Sequence, residues 1–106
     1  MTEDSGSMQL GGNIELSGFS QVDPASMIIV KKIVGNYAKR FSEQNEKFEK
    51  LSLNMKEVHK TAKSEKIEIH CNVTISGKNF TSEVTERNTF VAVDSVLKKV
   101  SNELSK

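Results

Sequence analysis

This chain has no tryptophan, and cysteine, proline and tyrosine each occur once. The lone cysteine, Cys71, rules out an internal disulfide, which agrees with a reducing compartment. Long apolar runs are missing too. The longest, Met27 to Val30 and Phe90 to Val93, fall far short of the roughly eighteen residues that cross a bilayer. The acidic start Met1-Thr2-Glu3-Asp4 lacks the basic and apolar regions of a signal peptide, so a cytoplasmic location with no membrane partner is expected. Asn72-Val73-Thr74 and Asn79-Phe80-Thr81 match the glycosylation sequon but are read as chance in the absence of a secretion signal. Surplus charge is missing as well: the formal net charge is +1, too little to hold nucleic acid by bulk electrostatics.

The constellations that catalysis needs do not occur. His70 and Cys71 are adjacent on a predicted strand and so face opposite sides, which prevents them from sharing a metal or acting as a base and nucleophile pair. Cys71 falls on the apolar side as a small buried thiol. His59 and His70 have no carboxylate or cysteine partners at ligand spacing, and Gly11-Gly12 precedes no helix with a phosphate-loop lysine. The chain reads as a binding protein with no enzymatic activity, no cofactor, no metal and no small-molecule substrate.

What is present is ordinary for a folded domain: 106 residues, 36% apolar and 27% charged, enough for one hydrophobic core. Residues 1–12, MTEDSGSMQLGG, are small and polar without a period and read as a flexible leader; residues 13–106 read as a single domain. Ile14 and Leu16 alternate with Glu15 and Ser17, a short strand ended by Gly18. Asp23-Pro24 then starts a helix that runs to about Ser42, because the carboxylate caps free amides and proline at the first helical position loses no hydrogen bond. Its buried stripe is Val30, Ile33, Val34, Tyr37 and Phe41, and Gly35 within it costs about 1 kcal/mol relative to alanine.

Leu51, Leu53 and Met55 mark a second strand, extended by Phe48 and Val58. A turn over Thr61-Ala62-Lys63-Ser64-Glu65 leads to Ile67, Ile69, Cys71, Val73 and Ile75, the cleanest period-two run in the chain. Ser76-Gly77-Lys78-Asn79 is the expected hairpin turn into Phe80, Ser82 and Val84. Asn88 or Thr89 caps a last helix with Phe90, Val93, Val96, Leu97, Val100 and Leu104 inward. The expected class is α+β in the order β-α-β-β-β-α, a four-stranded sheet with two helices packed on one face. The other face, with Lys50, Asn54, Lys56, Glu68, His70, Asn72 and Thr74, is left to solvent or a partner.

At 100 degrees per residue, Lys32 and Lys39 point away from the core on the first helix with Arg40 on the flank, and Lys99 and Lys106 do so on the last with Lys98 nearby. Lys78 and Arg87 fall in the connections around the fourth strand, where side chains reach backbone phosphates. Lysines are also the commonest outer-face residue of soluble helices, so composition alone leaves this open. Ile28 and Ile29 project outward as well, which leaves leader contact, a weak homodimer and a partner surface as alternatives.

Val73-Thr74-Ile75-Ser76-Gly77-Lys78-Asn79-Phe80-Thr81-Ser82-Glu83-Val84 and Phe90-Val91-Ala92-Val93-Asp94-Ser95-Val96-Leu97-Lys98-Lys99-Val100 resemble the third strand, turn, fourth strand and aromatic-led last helix of the ribosome hibernation-promoting factors, or ribosome-associated translation inhibitors. The nearly neutral end Asn102-Glu103-Leu104-Ser105-Lys106 departs from the more basic tail usual in that family. The resemblance implies a cytoplasmic protein of the stress response that binds ribosomal RNA of the small ribosomal subunit and blocks the messenger and transfer RNA channel. Carried over by position, the RNA contacts are Arg87, Lys98 and Lys99, supported by Lys32, Lys39 and Arg40; Lys78 and Lys106 join the RNA-binding candidates on their loop and outward placement alone. The alternatives are a protein-interaction or dimerisation module, and double-stranded RNA binding outside the ribosome, since α-β-β-β-α also occurs in domains that read RNA by shape.

Overall fold

Apolar residues at every second position suit a strand that buries one face, and each such run forms one in the computed structural model, which describes residues 8–9, 13–60 and 65–105. The strands are β1 (Met8–Gln9), β2 (Ile14–Ser17), β3 (Phe48–Lys60), β4 (Glu65–Ile75) and β5 (Lys78–Glu86); the helices are α1 (Pro24–Gln44) and α2 (Thr89–Leu104). The four longer strands and two helices follow β-α-β-β-β-α, the expected α+β arrangement. Residues 61–64 of the expected turn and the terminal Lys106 lie outside the described residues, as does most of the expected leader; Glu65, expected in that turn, is the first residue of β4.

The sheet order is β1-β2-β3-β4-β5. β2 and β3 are parallel, because α1 carries the chain back across the sheet between them, while the β3–β4 and β4–β5 pairs are antiparallel. Met8 and Gln9 pair with Leu16 and Glu15, adding a two-residue strand at the β2 edge of the expected four.

Register brings Leu16, Leu53 and Cys71 into line across β2, β3 and β4, with Leu51 and Val73 alongside. All five are buried, and α1 covers them with Met27, Val30, Val34, Ala38 and Phe41, α2 with Ala92, Val93, Val96, Leu97 and Val100. Each large side chain removed from water in this way contributes about 1.5–3 kcal/mol before chain entropy is subtracted. Ile33, Tyr37, Phe90 and Leu104, expected on the buried stripes, are half-buried at their edges. Both helices lie on one face of the sheet and form one layer; the shortest principal extent of the molecule, 22 Å, fits two layers.

Local chemistry sets the ends of the elements. Asp23 caps α1 by accepting from the Ser26 amide at 3.0 Å, with Pro24 at the first helical position. Asn88 caps α2 by accepting from the Val91 amide at 3.0 Å, which decides between the two expected caps. Gly18 leaves β2 at φ +80°, and a Cβ there would stand 2.1 Å from the Met55 carbonyl oxygen, so only glycine lets the chain pass this close to β3. The β4–β5 turn is tighter than the expected Ser76 to Asn79. Ser76 (φ 54°) and Gly77 (φ 79°) form it alone, and Lys78 and Asn79 already belong to β5.

Candidate nucleic-acid interface

The outer face of the helical layer carries the chain's one-sided charge. On α1, Lys31, Lys32, Lys39 and Arg40 are exposed against a single carboxylate, Glu43, so this helix presents four cations and one anion. Lys32, Asn36, Lys39 and Glu43 make its outermost stripe, as helical spacing requires. Lys31, which the angular placement did not select, adds to this surface from its flank. On α2, Lys98 and Lys99 are exposed but are matched by Asp94 and Glu103.

Not every predicted cation is equally available. Lys99 reaches down to the sheet edge, where its ammonium donates to the Glu83 carbonyl at 3.0 Å, and Ser82 Oγ beside it donates to the Val96 carbonyl at 2.8 Å. These bonds tie α2 to β5 and occupy carbonyls next to an open strand edge. Arg40 lays its guanidinium 5.1 Å above the centre of the Tyr37 ring, and the Tyr37 hydroxyl donates to Asp94 Oδ1 on α2 at 3.2 Å. Burial, and then the Asp94 carboxylate, raise the Tyr37 phenol above its ordinary range. Arg40, Tyr37 and Asp94 thus form a bridge across the groove between the helices. Arg87 lies in the β5–α2 connection, lining a cavity of about 260 Å³ with Gly18, Asp23 and Thr89 at the amino ends of both helices. Lys78, expected in a connection, is the first residue of β5 and is exposed.

The opposite face of the sheet is different in character. An open trough of about 570 Å³ runs across it, lined by Ser17, Asn54, His70, Asn72, Thr81 and Glu83 among others. Lys50 pairs with Glu15 at 2.9 Å, and Asn54 donates to Ser17 Oγ at 2.8 Å. Glu15, Glu68 and Glu83 balance Lys50, Lys56 and Lys66, so among the described side chains this face carries no surplus of cations. His70 is bracketed by carboxylates: Nε2 meets Glu68 Oε2, and Nδ1 stands 3.4 Å from Glu83 Oε1. The sequence reading had given His70 no such partner. Glu68 was legible two residues away on the same strand face, but Glu83 is opposite His70 only in the observed register. Cys71 is buried on the helix side, where desolvation pushes its thiol up to about 12.

No helix among the described residues is long and apolar enough to cross a membrane. A scan against protein-family models and a search of curated proteins gave no match. Among solved structures, the chain is similar to a ribosomal subunit interface protein from Coxiella burnetii, with a TM-score of 0.61, 15% sequence identity, and coverage of 88% of this chain and 91% of that one. At that identity the likeness establishes a shared fold: a mixed sheet of four principal strands, covered on one face by two helices, in the order β-α-β-β-β-α.

Proposed function

We propose that this chain binds the small ribosomal subunit through ribosomal RNA and inhibits translation by blocking the messenger and transfer RNA channel. The observation that carries the proposal is the segregation of charge on this fold: α1 and the flank of α2 present Lys32, Lys39, Arg40 and Lys98 from one layer, while the sheet face is balanced. A phosphate backbone responds to such a local surplus and not to the chain's total. The fold shared with a ribosomal subunit interface protein points the same way. In this reading Lys32, Lys39 and Lys98 meet phosphates directly and Arg87 does so at the amino ends of the helices. Lys99, already engaged with Glu83, holds α2 in place as much as it contacts RNA. Lys78 stands at the margin, Lys106 is a candidate from the sequence alone, and the action is occlusion without chemistry.

Co-sedimentation with small ribosomal subunits across a salt series tests this. Saturable binding is expected, falling as salt rises and falling again in a Lys32→Glu/Lys39→Glu variant. Absence of binding at low salt removes the proposal.

A second reading, a self-association module, is favoured by one observation: Ile28, Ile29 and Val91 are 66%, 46% and 47% exposed near the amino ends of the two helices. Sedimentation velocity separates the readings, since a monomer whose coefficient does not change with concentration excludes this one.

A further inference from the structure

Glu68, His70 and Glu83 are placed by a rigid device, the paired backbones of β4 and β5. Glu68 and His70 are two apart on one strand and therefore share a face. His70 and Glu83 are direct partners across the β4–β5 ladder. The ladder fixes the relative backbone positions of the three residues, and their side chains leave from one face. One ligand atom from each lies within 4.8 Å of the others.

The contacts around the ring are unusual. Both nitrogens of His70 meet a carboxylate oxygen, Glu68 on one side and Glu83 on the other. A neutral imidazole has only one N–H to donate, so one of these contacts would set a nitrogen lone pair against a carboxylate. Two carboxylates and an imidazole thus converge on one patch of the sheet face, the donor types that a divalent cation takes. Lys56, in register with Glu68, and Lys99, whose ammonium is bound to the Glu83 carbonyl, are neighbouring cations along the ladders.

We propose that Glu68, His70 and Glu83 form a binding site for a zinc-class divalent metal ion on the open face of the sheet. One imidazole nitrogen and two carboxylate oxygens match the donors such ions take, with the fourth tetrahedral position left to water. Bonds of about 2.0–2.2 Å at tetrahedral angles put ligand atoms about 3.4 Å apart, so the more distant donors must close in, and Glu68 draw back from the ring nitrogen it touches, by about an ångström. The Glu83 side chain is 66% exposed and turns freely enough to make that movement, while Glu68 is the more buried at 24%. With one ring nitrogen on the metal, the other keeps its N–H for water, an arrangement general among ligating histidines. Calcium and magnesium, which prefer six or more oxygen donors, are poorly served by this set.

The site is separate from the helix surface assigned to RNA, so its test does not depend on ribosome binding. Titration calorimetry of the full chain with zinc chloride is expected to show one equivalent bound, with the His70 ring signals shifting in NMR spectra. His70→Ala and Glu83→Gln are each expected to weaken binding about tenfold or more, with circular dichroism showing that both variants fold. His59→Ala and Cys71→Ser, which alter the other histidine and the buried thiol, are expected to leave binding unchanged. No binding, binding that survives His70→Ala, or equal binding of magnesium overturns the proposal. Loss in His70→Ala with Glu83→Gln unaffected overturns the three-ligand arrangement.

Discussion

The same substitution, glycine to alanine, is expected to have three different outcomes at three positions. At Gly18, φ is +80° and the new Cβ would lie 2.1 Å from the Met55 carbonyl oxygen, 3.1 Å from its carbon and 3.2 Å from its nitrogen. The left-handed conformation costs a non-glycine residue about 1–2 kcal/mol. The collision is with backbone held in the β3 ladder, which cannot rotate aside, and overpacking of this kind adds about 1–3 kcal/mol. Gly18→Ala should therefore lose about 2–5 kcal/mol, a large part of the roughly 5–15 kcal/mol that holds a domain of this size together. Gly77 has nearly the same φ, +79°, but nothing lies within 4 Å of a Cβ there. Gly77→Ala should lose only the conformational part, about 1–2 kcal/mol. Gly35 is helical and has open space where a Cβ would go, so no neighbour requires a glycine and Gly35→Ala should gain about 1 kcal/mol. Urea unfolding followed by circular dichroism reads all three. With a slope of about 1–2 kcal/mol per molar, the Gly35→Ala midpoint should rise by about 0.5–1 M. A Gly18→Ala loss no greater than that of Gly77→Ala would refute the steric argument.

Further predictions rest on single groups. Asn88→Ala should lose about 1 kcal/mol by leaving the Val91 amide uncapped, read as a lower melting temperature. Hydrogen bonds from Ser26 lower the Asp23 carboxyl below its ordinary 3.8, so its contribution is fully present above that pH and lost as pH falls through the folded value. Asp23→Asn should remove that acid sensitivity while keeping a cap. Tyr37 has a raised phenol, so its contribution is present below the ordinary value of 10.0 and lost as pH rises through the folded value; Tyr37→Phe should flatten the alkaline limb of the stability curve. Burial pushes the Cys71 thiol up to about 12, so Ellman's reagent at pH 8 should label it only as fast as the protein opens, and rapid labelling of the native state would contradict the burial.

The architecture was legible because its signals are periodic. Ile67 to Ile75 alternates without a fault, and Asp23-Pro24 and Asn88 are caps with a local mechanism. β1 was not legible, since two residues display no period and Met8–Gln9 are held by pairing with β2 alone. The hairpin shows how a small error can leave a face correct and a site hidden. A turn of four residues, Ser76 to Asn79, would pair His70 with Thr85, two places from its true partner Glu83. A slip of two preserves which side each residue faces, so Phe80, Ser82 and Val84 were rightly set toward the helices. It removed Glu83 from His70, however, and with it the only cross-strand carboxylate in the cluster. The residue responsible is Ser76, whose φ of 54° is one that serine seldom adopts and that residue preferences alone do not predict.

The net charge of +1 weighed against nucleic-acid binding in the sequence, and the fold changes the weight of that number. Exposed charges separated by more than a Debye length, about 8 Å at physiological ionic strength, hardly act on each other. Two layers and a shortest extent of 22 Å put the carboxylates of the sheet face well beyond that distance from a phosphate lying on the helices. Glu15, Glu68 and Glu83 therefore do little to cancel Lys32, Lys39 and Lys98, even though they enter the same total. The proposed RNA contact is thus governed by the four cations and one anion of α1, and neutralising the sheet carboxylates should leave its salt dependence unchanged. The same separation lets one small domain keep a charge-balanced, histidine-bearing trough on one face and a basic surface on the other, so that the two proposed sites are electrostatically independent.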